Sequence, residues 1–391
     1  MVKASINRII EVAKRECGIM ISRPLYLFCI VVAPLFVTLF FTSLMDEGQP
    51  TELPIGIVDL DNTKTSRTIV RNLSAFEMTH IEGHYSSVSD ARKAMQQGTI
   101  YAFFYIPEGT TEKAISGRQP KISYYCNNAY YLAGSLTLKD LKTMAALSSA
   151  SVGKAALLAR GFTEKQAKSF LQPIAVDVHA IGNPWINYGI YLNNTIIPGI
   201  FMLLITMITV FTIGQELKKK TVKSWLAMSG DNMYIAIIGK LLPYTLVSLS
   251  VIFLIDIYFY EVLHYPCNSG ICSMLLAGVL LVLSSQGLGV FMFGMVPTLR
   301  LALSLSSLWG VLAFSTSGFT FPVMTMDKPL QAIAGLFPLR HYYTIYEVQA
   351  LNGNSIIYCW GSYLCLLIFA ILPLFVMKKL HNGLLNFDYI P

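Results

Sequence analysis

Six stretches of the chain are runs of apolar residues interrupted only by Gly, Pro, Ser and Thr: approximately 25 to 45, 194 to 214, 234 to 259, 273 to 296, 301 to 320 and 356 to 377. A helix needs about 20 such residues to cross about 30 Å of hydrocarbon, and membrane helices tolerate all four interrupting types. The pattern therefore predicts six transmembrane helices. Ahead of them, residues 1 to 24 intersperse Ile6, Ile9, Ile10 and Val12 with Lys3, Arg8, Lys14 and Arg15, which predicts a basic amphipathic helix on a membrane surface. This segment is too long and regular for the leading part of a signal peptide, and no small-residue cleavage site follows, so the first span (25 to 45) is expected to be retained.

Residues 46 to 190 carry a different pattern, that of a soluble fold. Residues 54 to 59 (PIGIVD), 100 to 106 and 121 to 126 read as strands, 64 to 75 and 88 to 97 as helices, and 131 to 171 as a longer Ala- and Leu-rich helical tract, with an extended piece from 174 to 181. Strands alternating with helices predict a small α/β layer. Residues 191 to 391 hold the second to sixth spans. Within them, 321 to 353 fits two short amphipathic helices broken at Pro338, as in a re-entrant region. The fold class is thus an α-helical polytopic membrane protein with six transmembrane helices and an inserted extracytoplasmic α/β domain.

Composition agrees: 54% of the 391 residues are hydrophobic and 13% charged, where a soluble chain carries about 25%. The net charge of +7 does not imply nucleic acid, because the basic residues flank the apolar runs. Arg15 and Arg23 precede the first span, Lys218, Lys219, Lys220 and Lys223 follow the second, Arg300 separates the fourth and fifth, and Lys378 and Lys379 follow the sixth. All fall on one side if both termini are cytoplasmic, which puts residues 46 to 190 outside and gives a multi-pass protein of the inner (plasma) membrane.

The chain lacks a phosphate cradle: the nearest match, Ser148 to Ala155, has neither the leading Gly nor the final Ser or Thr of the nucleotide-binding loop. It is not expected to be an enzyme or to bind a cofactor itself. His80, Glu82 and His84 admit two readings, a solvated turn at Gly83 or metal ligands on one face of a strand. Asp59, Asp61 and Asn62 suggest a calcium loop but lack its Gly and distal Glu, so a turn or helix cap is the better reading. Cys267 and Cys272 bracket a short outer loop and are a candidate disulfide pair. Asp256, near the outer end of the third span, reads as an interface residue ahead of a transport role, and Gln286, in the fourth, as a packing residue ahead of a substrate path.

The segment 215 to 230 follows the second span directly. Glu216 at the membrane edge, then Lys220, Thr221 and the apolar Val222, Trp225 and Leu226 at helical spacing, predict a short cytoplasmic helix that offers an apolar face to a partner. Together with Pro198-Gly199 in the second span, Gln286-Gly287-Leu288-Gly289 in the fourth, Ser317-Gly318-Phe319-Thr320-Phe321-Pro322 closing the fifth and Pro338-Leu339-Arg340-His341-Tyr342 beyond it, this order of motifs resembles the ABC-2 type transporter permeases with a large domain between the first two spans. Met326-Asp327-Lys328-Pro329 departs from the Met-Pro that such proteins often have there.

The resemblance implies a permease subunit of an ATP-binding-cassette exporter for an amphiphilic or drug-like substrate. ATP and magnesium would sit on separate cytoplasmic ATPase subunits, and a second permease chain would complete a homo- or heterodimer. A periplasmic adaptor with an outer-membrane channel would be further partners, beside membrane lipid. Glu216, Lys220, Thr221, Trp225 and Leu226 would couple to the ATPase. Gln286, Ser317, Gly318, Phe321, Pro322 and Pro338 would line the path or its gate. A membrane receptor or scaffold with a partner-binding outer domain, and an ion exporter of the same architecture, are the alternatives.

Overall fold

The computed structural model describes residues 2–116, 118–174 and 176–387, without the side chain of Val2. It divides into two compact units, one formed by Met1–Gly48 with Ala180–Pro391 and the other by Gln49–His179.

In the first unit the apolar runs become helices because a backbone surrounded by hydrocarbon can satisfy its N–H and C=O groups only within its own segment. After the amphipathic α1 (Val2–Ser22) come six helices long and apolar enough to cross a membrane: α2 (Pro24–Leu44), α8 (Gly189–Lys218), α10 (Met233–Val262), α11 (Ile271–Met295), α12 (Leu299–Thr316) and α15 (Trp360–Asn386). This is the architecture the hydropathy pattern predicts. Chemistry at the ends accounts for several boundaries. Pro24 opens α2, where its missing N–H costs nothing, and the Asn232 side chain caps α10 by accepting from the backbone N–H of Tyr234 and Ile235. The short α9 (Val222–Ser229) is cut off by Gly230 in the left-handed region, at φ +67°. α13 (Lys328–Ala334) and α14 (Pro338–Ile345), continued by Tyr346–Leu351, are the two short helices expected on either side of Pro338. Pro329 in the first turn of α13 makes the Asp327-Lys328-Pro329 departure a helix start.

Of the apolar clusters that hold this unit together, two lie at its opposite ends. Val12, Leu217, Trp225, Met233, Ala236, Leu380 and Leu384 pack at the α1 end. Phe201, Phe259, Tyr260, Met274, Phe319, Leu339, Tyr342 and Tyr346 pack at the far end. α1 does not simply rest on a surface: Val12 is fully buried, and Gly239 lets its backbone approach, since a Cβ there would lie 2.8 Å from Val12 Cβ. α11 is the central helix, and its glycines admit neighbours just as closely. A Cβ on Gly287 would fall 2.3 Å from the Phe369 carbonyl oxygen of α15, and one on Gly289 2.9 Å from the Thr206 carbonyl oxygen of α8.

The second unit is an α/β layer. Its strands β1 (Leu53–Asp59), β2 (Thr79–His84), β3 (Ala102–Ile106) and β4 (Ser123–Cys126) lie in the order β2-β1-β3-β4, with β1 parallel to β2 and β3, and β4 antiparallel to β3. α3 (Lys64–Leu73), α4 (Val88–Gln96) and α5 (Thr110–Ile115) link them. The helical tract that follows divides into α6 (Tyr131–Ala159) and α7 (Glu164–Leu171), parted by Gly161 at φ +88° and restarted by a Thr163–Gln166 capping box. Ile55, Ile57, Phe104, Ile106, Leu141 and Met144 form the core between one sheet face and α6. The described residues from 174 to 181 form neither helix nor strand, and Ala175 lies outside them.

Three sequence expectations are corrected. His80-Ile81-Glu82-Gly83-His84 is an edge strand rather than a turn, because the alternating Thr79 and Ile81 find the sheet and the core. His80, Glu82 and His84 are exposed along it, and among the described residues no group of three His, Cys, Asp or Glu is placed to hold a metal ion. Cys267 and Cys272 are free thiols: Cys267 is packed against the far-end cluster, while Cys272 is exposed on the first turn of α11. Asp256 is no interface residue; it is buried. Asp59 and Asp61 do serve the turn before α3: Asp59 Oδ1 accepts from the N–H of Asp61 and Asn62, and Asp61 accepts from the hydroxyls of Thr63 and Thr111.

Gly287→Ala should destabilise the folded chain by about 1–3 kcal/mol through backbone collision, read as a lower unfolding temperature in detergent. Gly361→Ala, in α15 where a Cβ would meet nothing within 4 Å, should leave that temperature unchanged.

Candidate functional site: a buried ion cluster

The last turn of α8 carries Glu216, whose side chain is 3% exposed. An ionised carboxylate cannot be left so dry without partners, and the chain supplies them from three elements. From α1, Arg15 donates two parallel bonds, Nη1 to Glu216 Oε1 and Nη2 to Oε2, both at 2.9 Å. From α10, Lys240 Nζ donates to Glu216 Oε1 at 2.7 Å. From the turn into α9, the Thr221 hydroxyl donates to Oε2. A second acid, Glu16, completes the group by accepting from Lys240 Nζ and Arg15 Nη1, each at 2.9 Å. Two cations and two anions thus balance in a site where Lys240, Glu16 and Glu216 are almost wholly buried and Arg15 reaches toward water. Burial pushes the Glu16 carboxyl up against the pull of Lys240, so Glu16 is the cluster's member most readily neutralised. The fork of Arg15 fixes orientation as well as charge, which a lysine would not do.

The roof of the site is Trp225 of α9, fully buried, with Lys240 Nζ 4.8 Å from its ring centroid. The turn between α8 and α9 runs through Lys220 at φ +55°, an uncommon conformation for a side-chain-bearing residue, and the Thr221 N–H closes it onto the Glu216 carbonyl. Of the five residues expected to couple, the structure gathers Glu216, Thr221 and Trp225 in one site and buries Leu226 in the same cluster, with Lys220 exposed beside them. The expectation that Val222, Trp225 and Leu226 face a partner is corrected: they face the chain's own core. What α9 shows outward is Lys223, Ser224 and Ala227, next to Lys219, Lys220 and Asp231.

The residues expected to line a path or gate fall in separate places. Arg340 of α14 donates to the Ser317 carbonyl at 3.1 Å and lies against Gly318, whose φ of +104° and whose missing Cβ, 2.7 Å from Arg340 Nη1, leave room for nothing larger. Pro338 is buried in the first turn of the same helix, while Phe321 and Pro322 are exposed. Gln286 is held elsewhere: its Oε1 accepts from the Thr245 hydroxyl at 2.8 Å, and its Nε2 is buried without a partner among the described residues. Sequence reasoning missed Arg15, Glu16, Lys240 and the clamp by Arg340. Lys240 carried a signal, since a lysine six residues into the apolar run from 234 to 259 requires an anion nearby.

A family model described as ABC-2 family transporter protein matches residues 24–377, nearly the whole chain. The chain belongs to that family. It is accordingly the membrane component of a transporter, a multi-pass protein whose family works with an ATP-binding-cassette ATPase. A comparison with curated proteins gives no match.

The cluster makes its own forecast for this ABC-2 transporter. Lys240→Met leaves two buried acids facing one arginine and should cost about 3–5 kcal/mol. Adding Glu16→Gln restores a balanced Arg15–Glu216 pair and should recover at least half of the lost unfolding temperature; a double variant no more stable than Lys240→Met would show that charge balance is not what holds the site.

Proposed function

We propose that this chain is the permease subunit of an ATP-driven exporter, with both termini and α9 in the cytoplasm of an inner (plasma) membrane and residues 46 to 190 outside. ATP and magnesium are bound by separate ATPase subunits, and a second permease chain, identical or related, completes the pore. The substrate is amphiphilic or drug-like, released outside with or without a periplasmic adaptor and outer-membrane channel.

The observation that carries this reading is the Glu216 cluster. It ties α1, α8 and α10 to the turn that leads into α9, so a push on the exposed face of α9 reaches two membrane helices through charged bonds rather than through a pliable loop. The basic flanks support the orientation: Lys218, Lys219, Lys220, Arg300, Lys378 and Lys379 all belong to the ends of helices that meet at the α1 end, where Gly214 abuts Leu299 and Lys379 approaches Met295. Transmission here is mechanical, with ATP hydrolysis taking place on the ATPase.

The partner-facing surface is the polar face of α9, so the test belongs there. Lys223→Glu combined with Ala227→Glu should weaken capture of the ATPase by roughly tenfold or more by reversing surface charge, with the unfolding temperature unchanged. Co-purification and substrate-stimulated ATP turnover in proteoliposomes measure it. Undiminished capture would remove α9 as the contact.

A further inference from the structure

Asp256 is the buried acid of the membrane-spanning unit that the ion cluster does not use, among the described residues. It lies six residues from the end of α10, roughly 9 Å along the helix, within the far-end cluster. It is 1% exposed, and its Oδ2 has no hydrogen-bond partner among the described residues. The oxygen is closed in by α11, where Gly278 is so near that a Cβ would stand 3.2 Å from it. The titratable groups close enough to feel its charge are Tyr260, one turn on in α10, Tyr342 of α14 and Cys267 of the following loop, and none of these is a base. Tyr260 spends its hydroxyl proton on Asn194 Oδ1, at 3.1 Å. An ionised Asp256 would therefore have no counter-charge and no protein donor on Oδ2, in a side chain shielded from bulk solvent. A protonated acid forgoes only a single hydrogen bond.

We propose that Asp256 is a proton-binding site of the membrane bundle and that the proton it holds keeps the far end closed. Asp256 also shares its helix with Lys240, 16 residues back, so a movement of α10 at the ion cluster displaces Asp256 against Gly278. When the far end parts and water enters, the O–H bond breaks, the electron pair stays on the carboxylate, and the proton leaves to water. The closed form binds the proton more tightly than the open form, so rising pH favours opening by up to about tenfold per pH unit.

Both halves are testable on the full chain in lipid nanodiscs, without an ATPase, so failure here is separable from failure of the exporter reading. In infrared spectra at neutral pH, wild type should show a protonated-carboxyl band that Asp256→Asn removes and Asp256→Glu moves. Spectra that do not differ, or a carboxylate band that responds to sodium instead, overturn proton binding. For closure, alkylation of Cys267 by a neutral reagent is followed by mass spectrometry across pH in wild type and Asp256→Asn, whose ratio cancels the thiol's own titration. Opening predicts a ratio that rises at least about threefold as pH increases. The electrostatic effect of a nearby carboxylate alone would lower it, so a constant or falling ratio overturns closure.

Discussion

A charge inside a membrane protein must be answered where it stands, and Glu216 is where this chain meets that demand. Its carboxylate sits at the end of one span and takes donors from the amphipathic N-terminal helix, from the third span and from the turn that follows its own helix. Removing water from two acids and two bases is costly, and the cost is offset only while all four hold their geometry. The elements that supply them therefore have little freedom to shift separately. α1 is drawn into the bundle, α9 is pinned through Trp225, and α8 and α10 are tied at one end.

That constraint explains the unequal design of the two ends. At the α1 end, charges are paired and rigidly oriented, and the apolar residues of α9 are used to shield them. At the far end, tyrosines and side-chain amides make neutral hydrogen bonds to backbone and to one another, such as Tyr346 to the Ile190 carbonyl at 2.7 Å and Tyr363 to Gln349 Oε1 at 2.6 Å. Asp256 lies among these neutral groups with no cation. Neutral hydrogen bonds can be exchanged for water at small net cost, whereas the ion cluster cannot be wetted piecemeal. Stiffness at one end and exchangeable polarity at the other are what a membrane component needs if force enters at the first and a path opens at the second.

The inserted α/β unit is governed by different physics. Its helices are capped by side chains, as at Thr63 with Ser66 and Thr163 with Gln166, and its sheet is covered by apolar cores on both faces, Ile, Phe, Leu and Met under α6 and Val58, Ala91, Ile100 and Phe103 under α4. Water is available to its edges, so the exposed row on β2 is tolerated there. The same row would be excluded from hydrocarbon.

The sequence by itself determined the spans, because hydrocarbon thickness and the lack of water act on each segment independently of its neighbours. Local apolar periodicity likewise determined the amphipathic start of the chain, the two short helices around Pro338 and three of the four strands, and the order of motifs determined the family. β2 escaped it because a polar edge strand carries its apolar signal on too few positions. The candidate site was half legible: Glu216 and Thr221 lie within five residues of each other, but Arg15 and Lys240 come from elements far along the chain, and no local pattern says which cation will meet which acid. Only the tertiary structure decided that Trp225 roofs the ion cluster instead of facing a partner, and that Cys267 and Cys272 part. It likewise decided that Asp256 is sealed by Gly278, because burial and pairing are properties of helices in contact, fixed by where glycines let backbones approach.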